Sequence, residues 1–117
     1  MARTEIVPQQ PLVSGVQVTA TAGTADGHKF RNNGRVYVRV TNNNAAARTV
    51  TFQTPYTVEG LAVSDRTNSI TNGTSQIFGP FNPAYYNQQG DPDDGMVYVN
   101  FEAGFEAGFS VEYFQVI

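Results

Sequence analysis

The chain has 117 residues, 40% of them hydrophobic and 15% charged, with a net charge of −3, one histidine and no cysteine. That length holds one domain with a modest core, and the missing cysteine excludes a disulfide framework or a thiolate metal site. No apolar run approaches the roughly 20 residues of a membrane helix, so stability has to come from packing, hydrogen bonding or association.

Residues 1–13 place Ile6, Val7, Leu12 and Val13 around Pro8 and Pro11. Two prolines three apart favour an extended path without ladder hydrogen bonds. An extended N-terminal arm that docks on a partner is therefore expected here, with a frayed terminus as the alternative. Glu5 and Pro8 interrupt the one place where the apolar core of a secretory signal fits. Synthesis in a cytoplasm is expected, and the glycosylation sequon Asn72-Gly73-Thr74 is discounted accordingly.

Residues 14–117 read as a single β domain. Val16, Val18 and Ala20 alternate with Gln17 and Thr19, and a turn over 22–27 leads to a short strand at His28–Arg31. Arg35–Thr41 puts Val36, Val38 and Val40 on one face, the period-2 pattern of a half-buried strand. Arg48–Thr54 turns Val50 and Phe52 inward, and Val58–Val63 is a further candidate, followed by a turn at Ser64-Asp65-Arg66. Asn72-Gly73 is a hairpin signal before Ser75–Phe78. A helical turn is expected over Pro83–Gln88, capped by Asn82 with Pro83 first. Met96–Glu102 alternates again, and Phe109–Val116 closes the chain. The tandem Glu102-Ala103-Gly104-Phe105 and Glu106-Ala107-Gly108-Phe109 suggests a hairpin or bulge, with Gly104 or Gly108 at positive φ.

About seven to eight short strands, frequent turn signals and no sustained helical period predict an all-β fold, an antiparallel sandwich or small barrel. The predicted core is Val18, Val36, Val38, Val40, Val50, Phe52, Ile77, Val97, Val99, Phe101 and Val111.

Charge is divided along the chain. All seven basic residues lie within residues 1–67 beside four acids, whereas residues 68–117 carry six acids and no base. One reading is interleaving of both halves in one fold. The other is a bipolar surface that favours head-to-tail association.

Reactive chemistry is hard to find. His28 has no serine in a Gly-x-Ser-x-Gly elbow to work with, and it reads as an ordinary loop residue. A single histidine without cysteine is poor material for zinc. Asp91-Pro92-Asp93-Asp94-Gly95 offers clustered carboxylates to calcium, but it lacks the full loop spacing and is a turn in its own right. No carboxylate pair stands out for glycoside hydrolysis. Lys29, Arg31, Arg35, Arg39 and Arg48 lie near Phe30 and Tyr37, yet the chain is acidic overall, so a solvated or partner-facing patch is expected rather than nucleic-acid binding. The expectation is a protein without catalytic residues, metal ligands or cofactor that binds neither nucleic acid nor membrane.

Residues 76–87 are the densest in aromatics, with Phe78, Phe81, Tyr85 and Tyr86. They either plug one end of the sandwich or anchor an interface. The candidate partner-binding residues are therefore Ile6, Val7, Pro8, Pro11 and Leu12 in the arm, with Phe81, Tyr85 and Tyr86 in the loop.

Asp26-Gly27-His28-Lys29-Phe30 with Asn33-Gly34-Arg35, then Val58–Thr67, then Phe78-Gly79-Pro80-Phe81 with Tyr86-Asn87, resemble a family of small β-rich proteins of tailed bacteriophages and prophages found near capsid genes. The resemblance spans about residues 16–101 and rests on turn and packing residues. It implies a virion structural protein, foremost a capsid decoration (cement) protein that binds the major capsid protein at the shell surface. It further implies a homotrimer, with an N-terminal arm gripping the shell. A head–tail or tail structural protein is an alternative, as is a non-catalytic module binding a carbohydrate or receptor. For a carbohydrate, the missing tryptophan would have to be replaced by Tyr37, Tyr56, Tyr85, Tyr86 or Tyr98.

Overall fold

The structure, a computed structural model, describes residues 3–90 and 92–115. Short strands dominate: β1 (Thr4–Glu5), β2 (Thr21–Ala22), β3 (His28–Arg31), β4 (Val36–Asn42), β5 (Arg48–Phe52), β6 (Thr57–Val58), β7 (Leu61–Ala62), β8 (Arg66–Ile70), β9 (Ser75–Phe78), β10 (Met96–Phe101) and β11 (Phe109–Gln115). One helical turn, α1 (Pro83–Tyr86), and a 3-10 turn at Glu106–Gly108 complete the order. The main strands form two sheets, β1-β3-β10-β5-β8 and β2-β11-β4-β9, and β6 and β7 pair separately as a hairpin. All pairings are antiparallel except β1 with β3. This is an all-β sandwich, not a closed barrel.

The alternating strands bury the faces that their valines predict. Val36, Val38 and Val40 of β4, Val50 and Phe52 of β5, and Val97 and Val99 of β10 are fully buried, joined by Phe109, Val111 and Tyr113 of β11. Phe30, Phe52 and Phe81 form a run of rings 4.9–5.7 Å apart. Aromatic pairs at this separation add to the gain from area burial alone.

Two predicted core residues lie outside. Ile77 pairs with Arg39, on the outer face of its sheet, and is 69% exposed. Its neighbour Phe78, opposite Val38, is the one that packs inward. A one-residue difference in parity exchanges the two faces of a strand. Val18 is 51% exposed because the strand expected at 16–20 finds no partner, and pairing with β11 begins only at Thr21. The candidate strand at 58–63 is a hairpin instead. Glu59 and Gly60, at φ 52° and 80°, make a turn of the kind that matches strand twist.

Three ion pairs settle what the charge division does inside the chain. Lys29–Asp93 (2.9 Å), Arg39–Glu112 (3.4 Å) and Arg48–Glu102 (3.0 Å) each join a base of the first half to an acid of the second. Arg39 and Glu112 face each other across paired strands. Interleaving within one fold therefore absorbs half of the acids that residues 68–117 carry. The tandem repeat serves the Arg48 pair: Glu102 accepts from Arg48 and from the Thr49 amide, and the guanidinium stacks 3.4 Å over Phe105. Of the two repeat glycines, Gly104 is the one at positive φ.

Candidate binding surfaces

The N-terminal residues divide into anchor and projection. The Thr4 amide donates to the Gly27 carbonyl (3.1 Å) and the Ile6 amide to the Lys29 carbonyl (2.9 Å), which adds β1 to the first sheet. Ile6 packs against the core and Pro8 is buried. The chain then crosses to the second sheet, where Gln9 donates to Tyr113 and accepts from Gln115, both at 2.8 Å. Proline at the crossing has no amide to leave unsatisfied. From Thr4 to Gln9, the segment expected as a free arm thus lies along its own domain.

Beyond Gln9 the chain leaves the surface and returns at Thr19. The Gln9 carboxamide closes the base of this excursion, donating to the Thr19 carbonyl (2.7 Å) and accepting from its amide (2.9 Å). The Gly15 amide donates to Leu12 (2.9 Å) at the tip, with Gly15 at φ 92°. Gln9 and β2 both sit on the outer edge of β11, so the loop springs from an edge that is otherwise covered. Residues 11–20 are exposed throughout, among them Pro11, Leu12, Val16 and Val18, and Val13 is fully so. Val7, 78% exposed, lies just before it.

The aromatic loop also divides. Phe81, expected at an interface, belongs to the core, 4% exposed and packed on Phe30, Phe52 and Tyr86. Asn82 caps α1 by accepting from the Ala84 amide (2.9 Å), with Pro83 in the first turn as its sequence predicts. The cap directs Tyr85 outward, where its ring meets Tyr56 edge-on at 4.8 Å. These two tyrosines, Tyr86, Arg66 and Asn68 line an open cleft of about 490 Å³. A second cleft of about 270 Å³, bounded by Phe78 and Pro80, shares Arg66, Asn68 and Tyr86 with it.

Thr54 holds the outer wall of the larger cleft. Its hydroxyl lies 3.0 Å from the carbonyls of Val63 and Ser64, and its amide donates to Asp65 (2.9 Å). The floor is β8, where Arg66, Asn68 and Ile70 stand opposite Phe52, Val50 and Arg48. Parity therefore turns Arg66 and Asn68 toward the space between the sheets. Tyr56, Tyr85 and Tyr86 are three of the five tyrosines named for carbohydrate stacking, whereas Arg66 and Asn68 carry no site signal in the sequence. Arg66-Thr67-Asn68-Ser69 lacks apolar alternation, so only its pairing to β5 reveals the inward face.

His28 is a buried strand residue, not a loop residue. Its Nε2–H donates to the Ala22 carbonyl (3.0 Å), and Nδ1 accepts from the Tyr113 hydroxyl (2.7 Å). A carbonyl only accepts, which fixes the neutral tautomer. Burial lowers the histidine pKa below its ordinary 6.5 and raises that of Tyr113 well above 10.0. His28 thereby joins β2, β3 and β11 beneath the edge from which the exposed loop springs.

In the acidic turn, Asp91 lies outside the described residues. Asp93 accepts from the Tyr98 hydroxyl and from Lys29, and these bonds hold its pKa below the ordinary 3.8. Among the described residues no three His, Cys, Asp or Glu side chains gather in a metal-binding group. Of the basic residues named from the sequence, Lys29, Arg39 and Arg48 are each paired with an acid, and Arg39 lies in the opposite sheet from Lys29 and Arg48. Neither a protein-family model, nor a curated protein, nor a solved structure matches this chain.

Proposed function

We propose that this protein is a phage virion structural protein, a decoration protein that docks on the major capsid protein at the shell surface. The observation that carries the reading is the loop over residues 10–18, which holds Leu12, Val13, Val16 and Val18 in solvent. Contiguous apolar exposure on a small soluble domain marks an interaction site. The Gln9–Thr19 clamp supports the reading further, because a loop held at its base loses less conformational freedom on docking. In this proposal Ile6 and Pro8 position the loop, whereas Val7, Pro11 and Leu12 contact the shell. The resemblance adds the homotrimer as the assembling unit and the virion as its location.

The experiment is titration of the purified protein onto empty capsids of the phage whose genome encodes it. Saturable, stoichiometric binding is expected, weakened about tenfold or more, or ~1.4 kcal/mol, by the double change Leu12→Ser and Val13→Ser. Undiminished binding of that variant would remove the loop from the interface.

A further inference from the structure

We infer that the cleft between β8, α1 and the base of the β6–β7 hairpin at Tyr56 and Val63 is a binding site for a neutral pyranoside saccharide. This site is separate from the loop of residues 10–18, and the inference does not depend on capsid attachment. At about 490 Å³ the cleft falls within the range of small-molecule sites, about 300–1,000 Å³. Its walls are aromatic. Tyr56 and Tyr85 are 38% and 44% exposed and hold each other edge-on, so ring surface is presented to solvent in a fixed orientation. A sugar ring offers such surfaces its axial C–H groups and turns its hydroxyls toward the cleft's polar side.

That polar side is present and only partly used. Asn68 lines the cleft, and its Nδ2 is buried beneath that surface without a hydrogen-bond partner, so a small turn of the carboxamide would offer it to a ligand. Such a donor is costly unless something accepts from it. Arg66 enters no ion pair among the described residues, although it stands at an inward-facing position of β8. An inward charge also protects an edge strand from pairing with other chains, but that role leaves the Asn68 donor unexplained. Asp65 lines the same cleft and engages Thr54 through Oδ1, so Oδ2 remains to accept from a hydroxyl. A guanidinium, a carboxylate and a carboxamide are planar groups that grip neighbouring hydroxyls two at a time. Arg66 and Asp65 together are neutral, which favours an uncharged sugar over an acidic one.

Saturation-transfer NMR and titration of backbone amide shifts test this with four probes: methyl α-D-glucopyranoside, methyl β-D-galactopyranoside, N-acetylglucosamine and methyl β-D-glucuronide. At least one neutral probe should bind saturably, with a Kd of about 1 mM or tighter and shifts centred on Tyr56, Arg66, Asn68 and Tyr85. Tyr85→Ala and Asn68→Ala should each weaken it by about fivefold or more while thermal unfolding stays cooperative, and Ala47→Ser, at an exposed position that lines neither cleft, should leave it unchanged. Binding of the glucuronide alone would overturn the inference, as would no saturable transfer from any probe or binding that survives both variants. Shifts of Tyr56 and Tyr85 on adding capsids, without any response to sugars, would reassign the cleft to a protein contact.

Discussion

His28 and Tyr113 make stability depend on pH from both sides. Because burial keeps the folded His28 pKa below 6.5, the unfolded chain takes up a proton near that pH which the folded chain refuses. This contribution is fully present above about pH 6.5 and is lost progressively as the pH falls from there toward the folded pKa. Tyr113 is raised above 10.0, so its contribution is full below that pH and is lost as the pH climbs past it. Asp93 and Glu102, held below their ordinary 3.8 and 4.5, add a later loss at more acid pH. Urea midpoints should therefore be level between about pH 7 and 9 and fall on either side. His28→Gln, which takes up no proton, should flatten the decline between about pH 6.5 and 5. Tyr113→Phe leaves Nδ1 of His28 buried without a donor and should cost about 1–3 kcal/mol at neutral pH. Phe52→Ala should cost about 3–5 kcal/mol in chemical denaturation, whereas Ile77→Ser on the outer face should stay within about 0.5 kcal/mol.

Among the elements, the N-terminal segment carries the sharpest prediction. β1, Ile6, Pro8 and Gln9 tie the edges of both sheets, so deleting residues 1–9 should lower the thermal midpoint by on the order of 10 °C, as a loss of ~2 kcal/mol does in a small domain. An unchanged midpoint in scanning calorimetry would show that the segment adds nothing to the fold. Strands whose apolar residues alternate, β4, β5 and β10, were legible in the sequence, as was the Asn82–Pro83 helix start. Asn72-Gly73 is a turn but not the expected hairpin, because it carries the chain from β8 in one sheet to β9 in the other. β8 was not legible, because an edge strand that faces a cleft with Arg66 and Asn68 has no apolar stripe to read. The strand expected at 16–20 failed for the opposite reason: its valines alternate, but Gln9 holds the segment off the sheet and no neighbour pairs with it. The candidate site was half legible. Leu12 and Tyr85 are exposed as expected, while Phe81 has the same composition cue and fills the core. Aromatic density alone does not distinguish the two fates, since both outcomes remove ring surface from water.

At the scale of the molecule, the ion pairs Lys29–Asp93, Arg39–Glu112 and Arg48–Glu102 bind the basic and acidic halves of the chain into one domain. In the proposed homotrimer, association between copies would rest on apolar surface more than on charge. If the trimer forms through the exposed valines and leucines, sedimentation should give the trimer mass at micromolar concentration in moderate salt and in high salt alike. Screening weakens exposed charge contacts but leaves apolar burial in place. In the proposed function, the clamped loop of residues 10–18 attaches this protein to a capsid. The most direct measurement is a capsid co-sedimentation isotherm of the unaltered protein beside Leu12→Ser/Val13→Ser, whose folding should match the parent because both side chains are already in solvent. Saturation at a fixed copy number per capsid subunit is expected for the parent, with at least about tenfold weaker binding for the variant. Absence of saturable binding by the parent, or equal isotherms for the two, would contradict it.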